Sequence, residues 1–119
     1  MNAIQATLVD LRRAPGVKGA ALVTSDGLMV ASALDEGARE DVIAGLTSFL
    51  LMTTARCLQE NGMPAFTGYA LHATHGKTIF AEVKDSFLVV LMDQFADVDA
   101  CKGDIGAAAL QLRRVQPCG

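Results

Sequence analysis

The chain has 119 residues, of which 51% are hydrophobic and 19% are charged, and its formal net charge is −3. This length provides one domain with a modest core, so residues 1–119 are assigned to a single domain. The small acidic excess disfavours a nucleic-acid partner, because such partners require clustered Lys and Arg. The high apolar content of so short a chain indicates that some of its surface is buried against another subunit.

No part of the sequence predicts export or membrane insertion. Residues 1–10 contain Asn, Gln and Asp, whereas a secretory signal begins with basic residues and continues with an apolar run. No run reaches the ~18 uninterrupted apolar residues typical of a membrane span. The three cysteines, Cys57, Cys101 and Cys118, include no C-x-x-C pair, so we expect reduced thiols and neither a disulfide framework nor a zinc site. We therefore expect a cytoplasmic protein with no membrane partner.

The spacing of apolar residues, interrupted by turn-forming Gly, Pro and Asp, predicts three helices and five strands. The turn at Ser25-Asp26-Gly27 is typical of a tight hairpin, because Asp-Gly tolerates positive φ. Asn61-Gly62 is a good helix terminator. In chain order, the predicted elements are a helix at Ala3–Arg13, strands at Val17–Thr24 and Leu28–Ala33, a long helix from Glu40 through Leu58, strands at Phe66–Thr74, Lys77–Lys84 and Phe87–Asp93, and a helix from Asp97 to Arg114.

The second helix carries more apolar surface than one core can cover. At ~100° per residue, Ile43, Leu46, Leu50 and Cys57 form one stripe. Val42 and Phe49 widen the stripe on one side, and Ala44, Leu51, Ala55 and Leu58 widen it on the other. A narrow strip that includes Ser48, Met52 and Arg56 is predicted to face solvent. Because a surface helix needs an apolar face of only ~100° or somewhat more, we expect another subunit to cover the surplus.

The order and spacing of these elements resemble the roadblock family, which is named after a dynein light chain. The resemblance covers nearly the whole chain, and no single motif decides it. The matching residues are Leu8-x-x-Leu11, Pro15-Gly16-Val17-x-Gly19-Ala20, Asp26-Gly27-Leu28-x-Val30-Ala31, the long second helix, the turn at Gly76 and Phe87-Leu88-Val89-Val90-Leu91.

The resemblance implies an α/β sandwich of the roadblock/profilin-like type. Its five-stranded antiparallel sheet would have the order 2-1-5-4-3, with the second helix on one face and the terminal helices on the other. It also implies a homodimer or heterodimer in which the second helices pack together and the third strands pair. The partners it implies are Ras-like small GTPases.

The residues themselves also favour a dimer. The third strand would leave unpaired backbone groups at a sheet edge, without an inward charge or proline to protect it. A two-fold axis would pair that strand with its copy and cover the surplus face of the second helix. The candidate interface residues are Val42, Leu46, Phe49, Thr53, Arg56, Thr67, Tyr69 and Leu71.

Each catalytic or metal-binding interpretation has a structural alternative that we prefer. Gly76-Lys77-Thr78 resembles the end of a phosphate-binding loop. That motif requires a Gly five residues earlier, where this chain has Leu71, and it leads into a helix, whereas a strand is predicted here. His72 and His75 lack further ligands nearby in sequence. Cys57 lies on the apolar stripe, which predicts a buried, unreactive thiol. We therefore expect no catalytic residue, cofactor or metal.

Three functional hypotheses follow. The preferred one is a non-enzymatic dimeric platform that binds and regulates a Ras-like small GTPase. The alternative is a small-molecule sensor or a purely structural scaffold, although Leu22, Val30, Ile79, Val83, Val89 and Leu91 are predicted to fill the core. A small enzyme ranks lowest, because the sequence offers no plausible nucleophile and base.

Overall fold

The computed structural model describes residues 2–35, 39–60, 68–73 and 76–115, with residues 55, 58–60 and 68–73 described by their backbone alone. The ends of the elements lie within one or two residues of the predicted ends wherever the flanking residues are described. The elements are α1 (Ala3–Arg12), β1 (Val17–Thr24), β2 (Met29–Ala33), α2 (Glu40–Glu60), β3 (Gly68–Ala73), β4 (Gly76–Val83), β5 (Ser86–Met92) and α3 (Val98–Val115).

The strands form one antiparallel sheet in the order β2-β1-β5-β4-β3. The predicted combination of three helices with an antiparallel sheet is confirmed. In this order β1 and β5 are neighbours near the centre, and β2 and β3 lie at the two edges. Gly76 begins a strand, so Gly76-Lys77-Thr78 does not lead into a helix.

The central strand β1 is buried on both of its faces. Ala20 and Leu22 belong to a large apolar cluster that includes side chains of α1 and α3. Ala21 and Val23 alternate with them and belong to a smaller cluster that includes side chains of α2. Successive strand residues point to opposite faces, so this division places α2 on one side of the sheet and the two terminal helices on the other.

Side chains cap the first turn of both terminal helices. The Asn2 side chain accepts a hydrogen bond from the Gln5 backbone N–H at 2.8 Å. Asp97 Oδ1 accepts from the Asp99 N–H at 3.0 Å and from the Ala100 N–H at 3.4 Å. These bonds satisfy N–H groups that a helix leaves without internal partners. Asp97 therefore begins α3, as predicted.

One predicted core residue is misplaced. Val30 is exposed, because β2 is an edge strand and Val30 is the extra residue of an irregularity: Met29 pairs with Val23 and Ala31 with Leu22. The extra residue of such a bulge is itself unpaired and bends its strand locally, which changes the direction of nearby side chains.

Among the residues that the structure describes, no helix has the length and apolar character needed to cross a membrane.

Two glycines give a matched test of the packing. Gly16 has φ +84°, and a Cβ added there would lie 2.6 Å from Ala96 Cβ. Gly106 lies within α3, and an added Cβ would meet nothing within 4 Å. We expect Gly16→Ala to lower the free energy of unfolding by about 1–3 kcal/mol and Gly106→Ala to raise it by about 0.5–1 kcal/mol, both measured by urea denaturation. Equal effects of the two substitutions would contradict this account.

Candidate interaction surface

The helix α2 contacts the sheet through a narrow set of small and medium side chains. Ala44, Thr47 and Leu51 are buried and recur at helical spacing along one side of α2. Ala44 and Leu51 pack with Phe80 and Val89, which lie on the facing side of the sheet. The sheet therefore covers only one side of a 21-residue helix.

The opposite side of α2 exposes large apolar side chains. Val42 and Phe49 lie ~180° and ~160° around the helix from Leu51, and Leu46 lies beside them. Leu46 is 58% exposed, Phe49 66% and Met52 65%. Thr53 and Arg56 are also exposed on this side. We call this surface the α2 face; it comprises Val42, Leu46, Phe49, Met52, Thr53 and Arg56.

The α2 face contains five of the eight predicted interface residues. The other three belong to or flank β3: Thr67 lies outside the described residues, whereas Tyr69 and Leu71 have a described backbone that pairs with Phe80 and Thr78 of β4. Because β3 is at the edge of the sheet, its outer backbone groups have no neighbouring strand among the residues that the structure describes. The strand and the α2 face remain candidate interfaces.

The sequence placed the centre of the sheet-facing stripe incorrectly. Cys57 is exposed, although it was predicted to be buried beside Leu50 and Ile43. The stripe that packs on the sheet follows Ala44, Thr47 and Leu51, and Cys57 lies ~120° from Leu51. The error arose because apolar residues surround most of α2, so hydrophobicity alone does not show which side meets the sheet.

Met52 is the residue of the α2 face that the sequence reasoning missed. It was placed on the predicted solvent strip, and it is indeed exposed, but it adds apolar surface beside Phe49. Its flexible thioether side chain suits adaptable contacts with a partner. The sequence signal that could have identified Met52 was its position next to the apolar stripe.

Polar contacts fix α2 relative to the β1–β2 hairpin. Ser48 Oγ donates to the Ser25 carbonyl at 3.0 Å. A Cβ added to Gly27, in the same turn, would lie 3.3 Å from Ser48 Cβ. At the start of the helix, Ser32 Oγ donates to Glu40 Oε1 at 2.6 Å. The α2 face is therefore held in a defined orientation on the sheet.

The charge on this side of the protein is mixed. Arg39, just before α2, lies 3.6 Å from an Asp41 carboxylate oxygen, and both side chains are exposed. Such a pair contributes little to stability in water. Arg56 is the basic residue of the α2 face itself, so the face combines an apolar centre with one cation.

The described residues do not support a metal site. Within the described part of the chain, no three His, Cys, Asp or Glu side chains group as metal ligands. The side chains of His72 and His75 lie outside that part.

Comparison with known proteins decides the family. The Roadblock/LC7 domain model matches residues 3–92. The chain belongs to the roadblock family. It is 31% identical to the Methanocaldococcus jannaschii protein MJ0714 over 111 residues, which are 93% of this chain and 88% of that protein.

Solved structures show the same fold. Myxococcus xanthus MglB superimposes with a TM-score of 0.90 at 19% identity, covering 97% of this chain and 95% of MglB. A structure described as MglB with a tetrameric arrangement gives a TM-score of 0.82 at 20% identity, with 96% and 90% covered. These likenesses confirm the predicted roadblock/profilin-like fold.

On the opposite side of its sheet, this roadblock domain has two adjoining surface cavities beside α1 and α3. The first has a volume of about 470 Å³ and lies between Thr7, Leu11 and Gln111. The second has a volume of about 420 Å³ and extends to Phe95 and Cys101. Pro15 and Asp104 line both cavities, so the two form one continuous depression, which we call the α1–α3 groove.

The Cys101 thiol at the base of this groove lies in an environment that lowers its reactivity. It is 4% exposed, and its Sγ lies 3.3 Å from the Pro15 carbonyl oxygen, to which the thiol donates. Burial raises the pKa of the Cys101 thiol, and the nearby Asp104 and Asp97 carboxylates raise it further. A raised pKa keeps the sulfur protonated at neutral pH, whereas a nucleophile requires the thiolate.

This environment predicts that Cys101 resists alkylation. We expect iodoacetamide at pH 7.5 to leave Cys101 unmodified in the folded protein and to modify it fully in urea, as measured by mass spectrometry of the peptides. Because the folded pKa is raised, Cys101 of the folded protein should be alkylated more slowly than the unfolded thiol at every pH at which the unfolded thiol is ionised. Rapid labelling of folded Cys101 at neutral pH would contradict this assignment.

Proposed function

We propose that this roadblock domain is a non-enzymatic, two-fold symmetric platform that binds a Ras-like small GTPase. The α2 face is the observation that carries the proposal. Two comparisons support the proposal. The roadblock resemblance implies small-GTPase partners, and the chain shares its fold with MglB. Such a platform acts by binding one nucleotide state of its partner more tightly than the other.

The self-association part of the proposal rests on the apolar content of the α2 face. Exposed apolar patches of this kind in a small domain mark protein–protein contacts. A two-fold axis would bring Leu46 and Phe49 of one protomer against the same surface of its copy and would give β3 a pairing strand. The surface beside the paired α2 helices, with Arg56, would then receive the GTPase.

The ligand-sensor alternative gains no support from the main core. The layer between the sheet and the terminal helices is filled by large side chains with no more than 2% exposure. These residues are Leu8, Leu22, Leu88, Met92 and Leu112. An enclosed ligand in this layer would have to displace them, and protein interiors are packed too densely for that.

The dimer is tested by placing a charge on the α2 face. We expect Phe49→Glu to weaken self-association at least about tenfold, since burying a Phe side chain contributes about 1.5–3 kcal/mol and 1.4 kcal/mol is a tenfold change. Sedimentation equilibrium at micromolar concentration gives the measurement. Leu110→Glu is the matched control, because Leu110 is exposed on α3 and lies away from the α2 face. A monomeric parent chain, or equal weakening by both variants, would remove the proposed dimer.

The GTPase partner is tested by affinity capture from the native cells in two parallel samples, one with GDP and one with a non-hydrolysable GTP analogue. We expect a Ras-like GTPase to be enriched in one nucleotide state, and calorimetry with the purified pair to give affinities that differ at least about tenfold, or 1.4 kcal/mol. Arg56→Ala should reduce that affinity, with the dimer of the variant checked by sedimentation equilibrium. Equal affinities would reduce the platform to a passive scaffold, and recovery of no GTPase would overturn the proposal.

A further inference from the structure

The α1–α3 groove lies on the side of the sheet opposite the α2 face. Its walls come from α1 and α3, which pack on the larger apolar cluster, whereas α2 packs on the smaller one. A partner in this groove and a partner on the α2 face would therefore approach from opposite directions. The groove is a separate surface from the one proposed above.

The groove is acidic. Asp10, Asp93, Asp97 and Asp104 line it, and among the described lining residues Arg13 is the one basic side chain. The whole chain has a formal charge of −3, so the groove concentrates negative charge while the charges of the remaining residues nearly cancel. Arg13 lies 3.6 Å from Asp10 in an exposed pair, which water screens strongly.

Two of these carboxylates are fixed in place by the backbone. Asp97 caps α3, as described above, and Asp93 Oδ1 accepts from the Phe95 N–H at 2.8 Å. A cation from the sheet lies beside the groove. Lys77 Nζ donates to the Ala96 carbonyl at 2.5 Å, although Lys77 itself lines neither cavity. The groove thus presents four carboxylates, two of them preordered, against the two cations Arg13 and Lys77 at its margin.

The groove is also lined by small apolar side chains. Pro15 lies at the junction of the cavities, and Ala100 and Ala107 belong to the α3 wall. Phe95, which is 86% exposed, stands at one end. These small residues allow a partner to approach the groove closely. The exposed aromatic ring provides an apolar anchor of the kind enriched at protein interfaces.

The length and shape of the groove favour a segment of protein chain. The α3 residues that line it, from Asp97 through Ala100, Asp104 and Ala107 to Gln111, alternate in steps of three and four and so follow one side of the helix. At 1.5 Å per residue, this stripe is ~21 Å long, enough for about 14 residues of a helix lying alongside. The walls are open to solvent, since Asp10, Asp104 and Gln111 are exposed.

We infer that the α1–α3 groove docks a basic amphipathic helix of a partner protein, with Lys or Arg against the carboxylates and small apolar side chains against Pro15 and Ala107. Charge complementarity identifies this occupant and disfavours an acidic segment, because like charges across an interface are strongly unfavourable. With the α2 face occupied at the same time, the domain would connect two partners.

The test uses a fluorescein-labelled 14-residue peptide of Lys, Leu and Ala with Lys along one helical side, and a matched peptide with Glu in place of every Lys. Fluorescence anisotropy should show saturable binding of the Lys peptide alone. The double variant Asp10→Asn with Asp104→Asn should weaken binding at least about fivefold, whereas Asp99→Asn should change it less than about twofold. Asp99 is the matched control, because it lies on α3, pairs with Lys102 at 3.1 Å and does not line the groove.

Amide chemical-shift changes in NMR should locate the bound peptide at α1, α3 and residues 93–97. Equal binding of the two peptides, an unchanged affinity in the double variant, shifts confined to the α2 face or no binding at millimolar peptide would each overturn the inference. Displacement by spermine at the peptide's own affinity would assign the groove to small polycations instead. None of these outcomes depends on a GTPase, so they leave the proposed function to its own tests.

Discussion

The two-sided burial of the central strands is the constraint on which the rest of this structure depends. β1 and β5 place apolar side chains on both faces of the sheet, with Leu22, Leu88 and Val90 in one cluster and Val23 and Val89 in the other. Neither face can be left in water, because each buried apolar side chain contributes about 1.5–3 kcal/mol. Helices must therefore cover both sides, and the chain supplies two on one side and one on the other.

The division of helices is unequal, and the functional surfaces follow from it. The side with α1 and α3 has a deep core in which most large side chains are fully buried. The side with α2 has a thin core that uses only a few α2 residues, so Leu46 and Phe49 remain exposed. The incomplete side is suited to self-association. The complete side carries the acidic groove that runs along α1 and α3.

Local sequence rules anticipated much of the fold because they act over a few residues. Asp26-Gly27 formed the expected turn, the last helix began at Asp97 as expected, and the apolar runs in β1 and β5 formed central strands. The rules failed where only tertiary packing chooses among similar options. Hydrophobic spacing predicts a buried Cys57 and a core position for Val30, yet α2 turns a different side to the sheet and an irregular edge strand turns Val30 outward.

The sequence by itself determined the order and type of the elements and the surplus of apolar surface on α2, since propensity, turn chemistry and periodicity are local properties. The tertiary structure decided which side of α2 meets the sheet, because a helix that is apolar around most of its circumference is oriented by its contacts. It also decided that Asp10, Asp93 and Asp104 share one groove. These carboxylates lie far apart in the chain, and only the packing of α3 against α1 brings them together.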